Sequence, residues 1–541
     1  MVKHRPLLFL ICFLSCLGGI AMAQPFPLRG DISIRRIFTV ENDCVRIARD
    51  LSTSKLYYVR ANGGIYEFNP DSSTKTLRYS STNHKVTVAQ GFTISYDGTF
   101  FLVGNPTQGS NNIGIVVRGK VQSVVRVWDT VAITEPYPQS LTGHDHLFNA
   151  IEVTPDHQYL IVNSGSRTDH GDTARVLNGG REYPITSALF KLPYNTRNIL
   201  LRNNQDSLNP YLYADGVRNA YDMAFAPNGD LFAIDNSDVA DHDEELNWIR
   251  EGHHYGFPWR ISTDDNPQQF SNFNPNTWYL LNIVDHSYFN DPAFPPKPAG
   301  IIFTDPIRNV GPDADHFRDT NRTVRDASTL GRTLGTFTSH SSPLALVFDF
   351  DSVVTSEFAG HGFVMSYNDS SATKFAPFHE PGEDLLHLEL TKIVAEDRYE
   401  AHVTRIAQGF HYPVDAVMVR NKIYVVENGA GSSLWEVTLP ARPMTVKQTK
   451  EGPAAFRLDQ NYPNPFNPTT TIRISIPSGA NPVTLRVYDI LGREIATLKN
   501  EVMEAGTHDV RFEASRFASG LYCYRLQSGS FAQTKTMLLL K

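Results

Sequence analysis

The stretch "GVRNAYDMAFAPNGDLFAIDN", residues 216–236, decides the fold. An apolar segment enters a Pro-Asn-Gly turn and returns as a second apolar segment, the pattern of two antiparallel strands. The unit recurs as "GFTISYDGTFFLVGN" (91–105), "AIEVTPDHQYLIVNSGS" (150–166) and "DAVMVRNKIYVVENG" (415–429). Looser copies lie in "CVRIARDLSTSKLYYVRANGGIYEF" (44–68) and "PLALVFDFDSVVTSEFAGHGFVMSYND" (343–369). Six copies at irregular intervals, with long variable inserts, predict an all-β chain whose residues 30–440 form a six-bladed β-propeller. The insert 263–321, rich in Asn, Asp, Pro and Phe, is expected to form long loops on a propeller face.

Charge narrows the partners. The chain has 541 residues, a net charge of -8 and no dense Lys/Arg block, so it lacks the basic face that nucleic-acid phosphates require. At its start, Lys3 and Arg5 precede an apolar run that ends in Ala21-Met22-Ala23, which reads as a secretory signal over residues 1–23. Cys16 fits a lipidation site poorly. No later run is long and apolar enough to cross a bilayer, so no transmembrane segment is expected after signal removal. Removal of the signal leaves Cys44 and Cys523, far apart in the chain, so no disulfide framework is expected.

Beyond "LWEVTLP" the composition changes. Residues 441–454 read as a linker, and 455–541 as a second module. There Ile472, Ile474 and Ile476 alternate with other residues, as do Val483, Leu485 and Val487, then Tyr522, Tyr524 and Leu526. A period of two throughout predicts half-buried strands of a small antiparallel β-sandwich. Pro463, Pro465 and Pro468 fix an extended lead-in segment that cannot join a central strand.

Four segments of this module, "NYPNPFNP" (461–468), "VYDILGREIATL" (487–498), "SGLYCYRL" (519–526) and "TKTMLLLK" (534–541), resemble the type IX secretion system C-terminal (Por) sorting domain. The resemblance implies engagement of the type IX machinery, passage through the periplasm and outer membrane, and a secreted or cell-surface protein.

A second resemblance lies in the propeller. "GVRNAYDMAFAPNGDLFAIDN", followed by "DEELNWIREGHHYGFPW" (243–259), is similar to the soluble quinoprotein glucose/sorbosone dehydrogenases, as are "DHLFNAIEVTPD" (145–156) and "HSSPLALVF" (340–348). That resemblance implies an exported oxidoreductase, an aldose dehydrogenase acting on a carbohydrate at its anomeric carbon. Hydride would pass to pyrroloquinoline quinone (PQQ) held with calcium. His146 would be the catalytic base, since hydride leaves carbon only as the hydroxyl proton departs. Arg218 would stabilise charge on the quinone oxygens. Asn219, Asp145 and His340 would complete the cofactor pocket. Within "DNSDVADHDEEL" (235–246), Asp235, Glu244 and Glu245 are the expected metal ligands, with Asp238, Asp241 and Asp243 further candidates.

Each of these residues also has a structural reading. Arg218 can tie blades together through a carboxylate such as Glu244 or Glu245, and "GHHYGFPW" can be a packing turn. The chain departs from the family where a cofactor with three carboxylates needs cations: "MSYNDSS" (365–371) and "FHYPVDA" (410–416) contain neither Lys nor Arg. The alternative is therefore a non-catalytic or hydrolytic propeller that binds carbohydrate or another surface ligand. That reading is favoured if His146, Arg218 and Asn219 point into blade packing, or if aromatics from the insert around Phe270 to Tyr288 fill the cavity.

Overall fold

A computed structural model describes residues 24–541 except 141–144, 173–180, 271–272, 275–276, 281–291, 368–377, 379, 381, 443–454, 478–480 and 530. The expected signal peptide and all of the linker after Arg442 lie outside the described residues. The chain is 52% strand and 4% helix, and it divides into two compact units, 1–442 and 443–541.

All six copies of the sequence unit form the first two strands of a sheet. The first strands are Cys44–Asp50, Ala89–Ile94, Phe148–Val153, Ala220–Phe225, Pro343–Phe348 and Pro413–Val419. Each lies against the next, and the last lies against the first, so the β-propeller closes on itself. Every one of them carries a register irregularity within its first few residues. Such bulges twist a strand and re-aim its side chains, here at the ends of the strands that surround the axis.

Apolar clusters fill the space between each sheet and its neighbour. Phe101, Val103, Phe148 and Phe190 join the second and third sheets, and Phe232, Ile234, Leu346 and Val364 join the fourth and fifth. A fully buried phenylalanine contributes about 3 kcal/mol by area, so stability rests on this repeated packing. Among the described residues Cys44 and Cys523 are unpaired, Cys44 being buried.

Two outer strands come from unexpected places. Ser33–Thr39 pairs antiparallel with Ser433–Thr438, so the start of the unit completes its last sheet. Arg308–Pro312, inside the insert expected to be loop, runs parallel to Arg398–Gln408 at the fifth sheet. Its alternating burial, with Asn309 and Gly311 inside, supplied a strand signal that the abundant Asn and Pro obscured.

Near the axis Arg46 reaches across the ring. Its Nε donates to the Gln90 carbonyl at 2.9 Å and its Nη2 to the Tyr221 carbonyl at 2.5 Å, with the guanidinium 4.3 Å from the Tyr221 ring centroid.

In the second unit Thr469–Ile476 pairs with Gly506–Glu513, while Asn481–Tyr488 lies between Glu494–Met503 and Gly520–Ser528. The alternating residues Ile472, Ile474, Ile476, Val483, Leu485, Val487, Tyr524 and Leu526 share one core.

Candidate functional site

The expected site residues lie where the third, fourth and fifth sheets approach the axis. His146 precedes the inner strand of the third sheet, and Arg218 and Asn219 precede that of the fourth. One backbone relay joins them: the His146 N–H donates to the Ser166 carbonyl at 2.9 Å, and the Ser166 N–H donates to the Arg218 carbonyl at 2.7 Å. Gly165 is required there, because a Cβ would sit 2.5 Å from the Cβ of His146.

The His146 ring is oriented by Ser166. Its Nδ1 lies 2.9 Å from the Ser166 hydroxyl oxygen, while that hydroxyl donates to the Thr168 carbonyl at 2.9 Å. With its single proton so used, the hydroxyl accepts from Nδ1–H.

Arg218 is held differently. It is 6% exposed; Nη2 lies 2.6 Å from Asp169 Oδ1, Nε donates to the Asp169 carbonyl at 2.7 Å, and Nη1 donates to the Asn236 carbonyl at 2.9 Å. The other Asp169 oxygen lies 3.1 Å from His170 Nδ1. The carboxylate that holds Arg218 is thus Asp169, and neither Glu244 nor Glu245. Asn219 belongs to a ladder of asparagines. Asn163 donates to Asn149 at 2.6 Å, Asn149 to Asn219 at 2.7 Å, Asn219 to Asn236 at 2.9 Å, and Asn236 to the Pro343 carbonyl at 2.9 Å. The amide of Asn219 is spent on joining three sheets.

The acidic residues cap backbone. Asp235 accepts the N–H groups of Arg218 and Asn219. Glu244 accepts from the N–H of Ser237 at 2.8 Å and of Ser342 at 3.4 Å. Glu245 accepts from the Ser262 N–H at 2.6 Å and Asn247 Nδ2 at 2.7 Å. Every oxygen of the expected metal set thus faces an N–H donor, so these carboxylates have partners without an ion. Burial pushes their carboxyls up, to about 6 for Asp235, about 7 for Glu244 and about 8 for Glu245.

His340 and Asp145 have partners of their own. His340 Nε2 lies 3.0 Å from Asp241 Oδ1, whose other oxygen takes Arg318 Nε at 2.6 Å. Asp145 accepts from the Ser140 N–H at 2.7 Å, while its buried Oδ1 has no hydrogen-bond partner; burial pushes this carboxyl up to about 6. The acidic run also contains a pair that position alone could not identify. His242 Nδ1 lies 2.8 Å from Asp238 Oδ1, both side chains wholly buried. Burial opposes charge on His242, but the Asp238 carboxylate outweighs it and holds the imidazolium up to about 9. Trp278, from the long insert, packs edge-on against that ring at 5.3 Å, with Phe273 behind it at 5.4 Å.

These residues do not fit PQQ as they are arranged. Three carboxylates call for open cations, whereas Arg218 is matched by Asp169, Arg318 by Asp241, and Arg405 by Glu380 and Asp384. The cavity beside Arg218, lined also by Asp235, Glu245 and Tyr255, measures 10 Å³, room for one water.

A larger opening lies at the outer edge of the fourth sheet. This groove of 850 Å³ is lined by Tyr213, Trp248, His253, Phe303 and Tyr399, with Arg250 and Asp397 on its rim. Arg250 Nη1 lies 2.6 Å from Asp397 Oδ2, which links the end of the fourth sheet to the hairpin of the fifth.

Comparison with known proteins gives four findings. The family described as "Secretion system C-terminal sorting domain" matches residues 460–540. The protein is therefore exported through type IX secretion to the cell surface or the extracellular space; no helix among the described residues is long and apolar enough to cross a membrane. No curated protein matches the chain. Among solved structures, the chain is similar to the PQQ domain of a pyranose dehydrogenase from Coprinopsis cinerea at 12% identity and a TM-score of 0.48, over 79% of this chain and 100% of that one. It is similar to the soluble aldose sugar dehydrogenase of Escherichia coli at 12% and 0.47 (75% and 99% covered), and to a gluconolactonase of Xanthomonas campestris at 10% and 0.37 (79% and 100% covered). Similarity at this level says nothing of shared chemistry.

Proposed function

We propose that the chain is an exported six-bladed β-propeller, followed by a β-sandwich sorting module, that binds carbohydrate outside the cell without quinone chemistry. The observation that carries this reading is the commitment of Arg218 to Asp169, which turns the expected cofactor residue into a tie between sheets. Asn219 is likewise consumed by the asparagine ladder, and insert aromatics cover the acidic loop. The groove beside Trp248 supplies an amphipathic wall for a neutral saccharide, the Tyr213 ring for its C–H surfaces and charged groups for its hydroxyls, among them Arg250 and Lys392, which lie 4.2 and 4.1 Å from the Trp248 ring centroid.

A second reading, an aldose dehydrogenase, is favoured by one observation. The relay through Ser166 brings His146 and Arg218 to the same end of neighbouring sheets, and the Ser166 hydroxyl accepts from His146 Nδ1–H. In that reading His146 would take the proton of the anomeric hydroxyl.

The two readings separate in one experiment. The purified mature chain is titrated with aldoses and oligosaccharides, followed by tryptophan fluorescence, then assayed for dye reduction with PQQ and calcium. Saturable binding weakened by Tyr213→Ala, with no dye reduction, is the expected result. Sugar-dependent dye reduction abolished by His146→Ala would establish the dehydrogenase, and absence of any sugar binding would refute carbohydrate recognition.

A further inference from the structure

Asp315 and His316 open the short hairpin of His316–Arg318 with Val324–Asp326, and Glu380 precedes the strand Asp384–Ile393 of the fifth sheet. The fold fixes all three. The His316 N–H donates to the Thr338 hydroxyl at 2.9 Å. Asp315 is 1% exposed, and its Oδ2 accepts the Ser328 N–H at 2.8 Å. Glu380 lies between His316 and Arg405: Oε1 meets His316 Nδ1, and Oε2 meets the Arg405 guanidinium, which also holds Asp384 at 2.5 Å.

One atom in this group is unaccounted for. Asp315 Oδ1 is buried and has no hydrogen-bond partner, although an unpaired buried carboxylate oxygen costs about 1–3 kcal/mol or more. One ligand-capable atom from each of Asp315, His316 and Glu380 lies within 4.8 Å of the other two. Ligands around one ion at about 2.0–2.2 Å stand roughly 3–4 Å from each other, so the set closes if the directly touching His316 and Glu380 part slightly and Asp315 moves in.

We propose that Asp315, His316 and Glu380 bind a divalent transition-metal ion, Zn²⁺ or Mn²⁺. One imidazole nitrogen with two carboxylate oxygens suits these ions, whereas calcium takes six to eight oxygens. The ion would sit between His316 and Glu380 and give Asp315 Oδ1 the partner it lacks. Arg405 on the far oxygen orients Glu380. Three protein ligands leave a coordination position for water or another oxygen ligand. The group is separate from Asp235, Glu244 and Glu245, whose oxygens accept from backbone N–H groups and, in Glu245, from the Asn247 amide as well.

The plain alternative is an ion-pair chain from His316 through Glu380 to Arg405 with no metal. Calorimetric titration of the chelator-treated mature chain with ZnCl₂ and with MnCl₂ distinguishes the two. One equivalent should bind, with proton release visible in buffers of different ionisation enthalpy. Asp315→Asn and His316→Ala should each weaken binding about tenfold or more, and His316→Cys should retain Zn²⁺, since thiolate is also a zinc ligand. Asp238→Asn should leave the stoichiometry at one. Failure of the folded wild-type chain to bind either ion, or binding unchanged in both Asp315→Asn and His316→Ala, would overturn the proposal.

Discussion

Arg218 and Asp169 form a buried ion pair, Nη2 to Oδ1 at 2.6 Å, between a residue that opens the fourth sheet and a loop that leaves the third. The side chains are 7% and 4% exposed. Removing one partner strands the other charge, so Arg218→Met should cost about 3–5 kcal/mol, while the double variant Arg218→Met/Asp169→Leu should cost less. Urea unfolding of the four forms measures the coupling. A loss below about 1 kcal/mol in Arg218→Met would show the guanidinium to be dispensable to the fold.

Stability should fall as pH rises. Burial raises Glu245 to about 8, Glu244 and Asp243 to about 7 and Asp235 to about 6. Between the ordinary carboxyl range near 4.5 and about 8, these four groups therefore hold more protons in the folded chain than in the unfolded one. The stability these groups contribute is present at the acid end of that window and is lost as pH climbs through it. Each such proton contributes a slope of about 1.4 kcal/mol per pH unit. Glu245→Gln should flatten the dependence of the unfolding midpoint between pH 5 and 8; a slope equal to wild type would mean that Glu245 is already ionised in the folded chain.

Gly165→Ala should cost about 1–3 kcal/mol, because the added methyl meets the Cβ of His146 and the Arg218 carbonyl within packed backbone. Gly30→Ala, where nothing lies within 4 Å, serves as the neutral comparison. Equal thermal midpoints for the two variants would show that the His146 segment can move aside.

Deletion of residues 455–541 should leave the propeller folded and hold it in the periplasm. Leu485→Asp, which places a charge in the core shared with Ile474 and Tyr524, should do the same by unfolding the sorting module. Cell fractionation checks both, and normal surface delivery of either variant would contradict the assignment.

The propeller was legible because its information is local. The alternation of apolar residues around an Asp, Asn or Gly turn marked the inner two strands of all six sheets. The sorting module was legible for the same reason, as its three alternating runs all enter one core. The long insert was not, because Asn309 and Gly311 pack inward on a strand whose partner, Arg398–Gln408, lies far along the chain. The site was half legible. His146 and Arg218, singled out from the sequence, are linked through the backbone of Ser166, but Asp169, the residue that holds Arg218, sits in a polar loop with no periodicity. The pairings of Asp241 with Arg318 and of Glu380 with Arg405 are likewise long-range, and spacing carries no trace of them. The one available signal was compositional: buried acids in such number require buried cations.

The strand Ser33–Thr39 has a consequence for how the protein is made. Its partner, Ser433–Thr438, is the last strand of the unit in chain order, so the ring cannot close until that end of the chain is in place. Until then the nascent ring is an open crescent, with a bare edge on the fifth sheet's side and an unplaced strand at its start. A chain halted before Ser433 would present both to other molecules, a setting for aggregation or proteolysis. One finished chain hides both within itself, so the last strand of the ring acts as its quality seal.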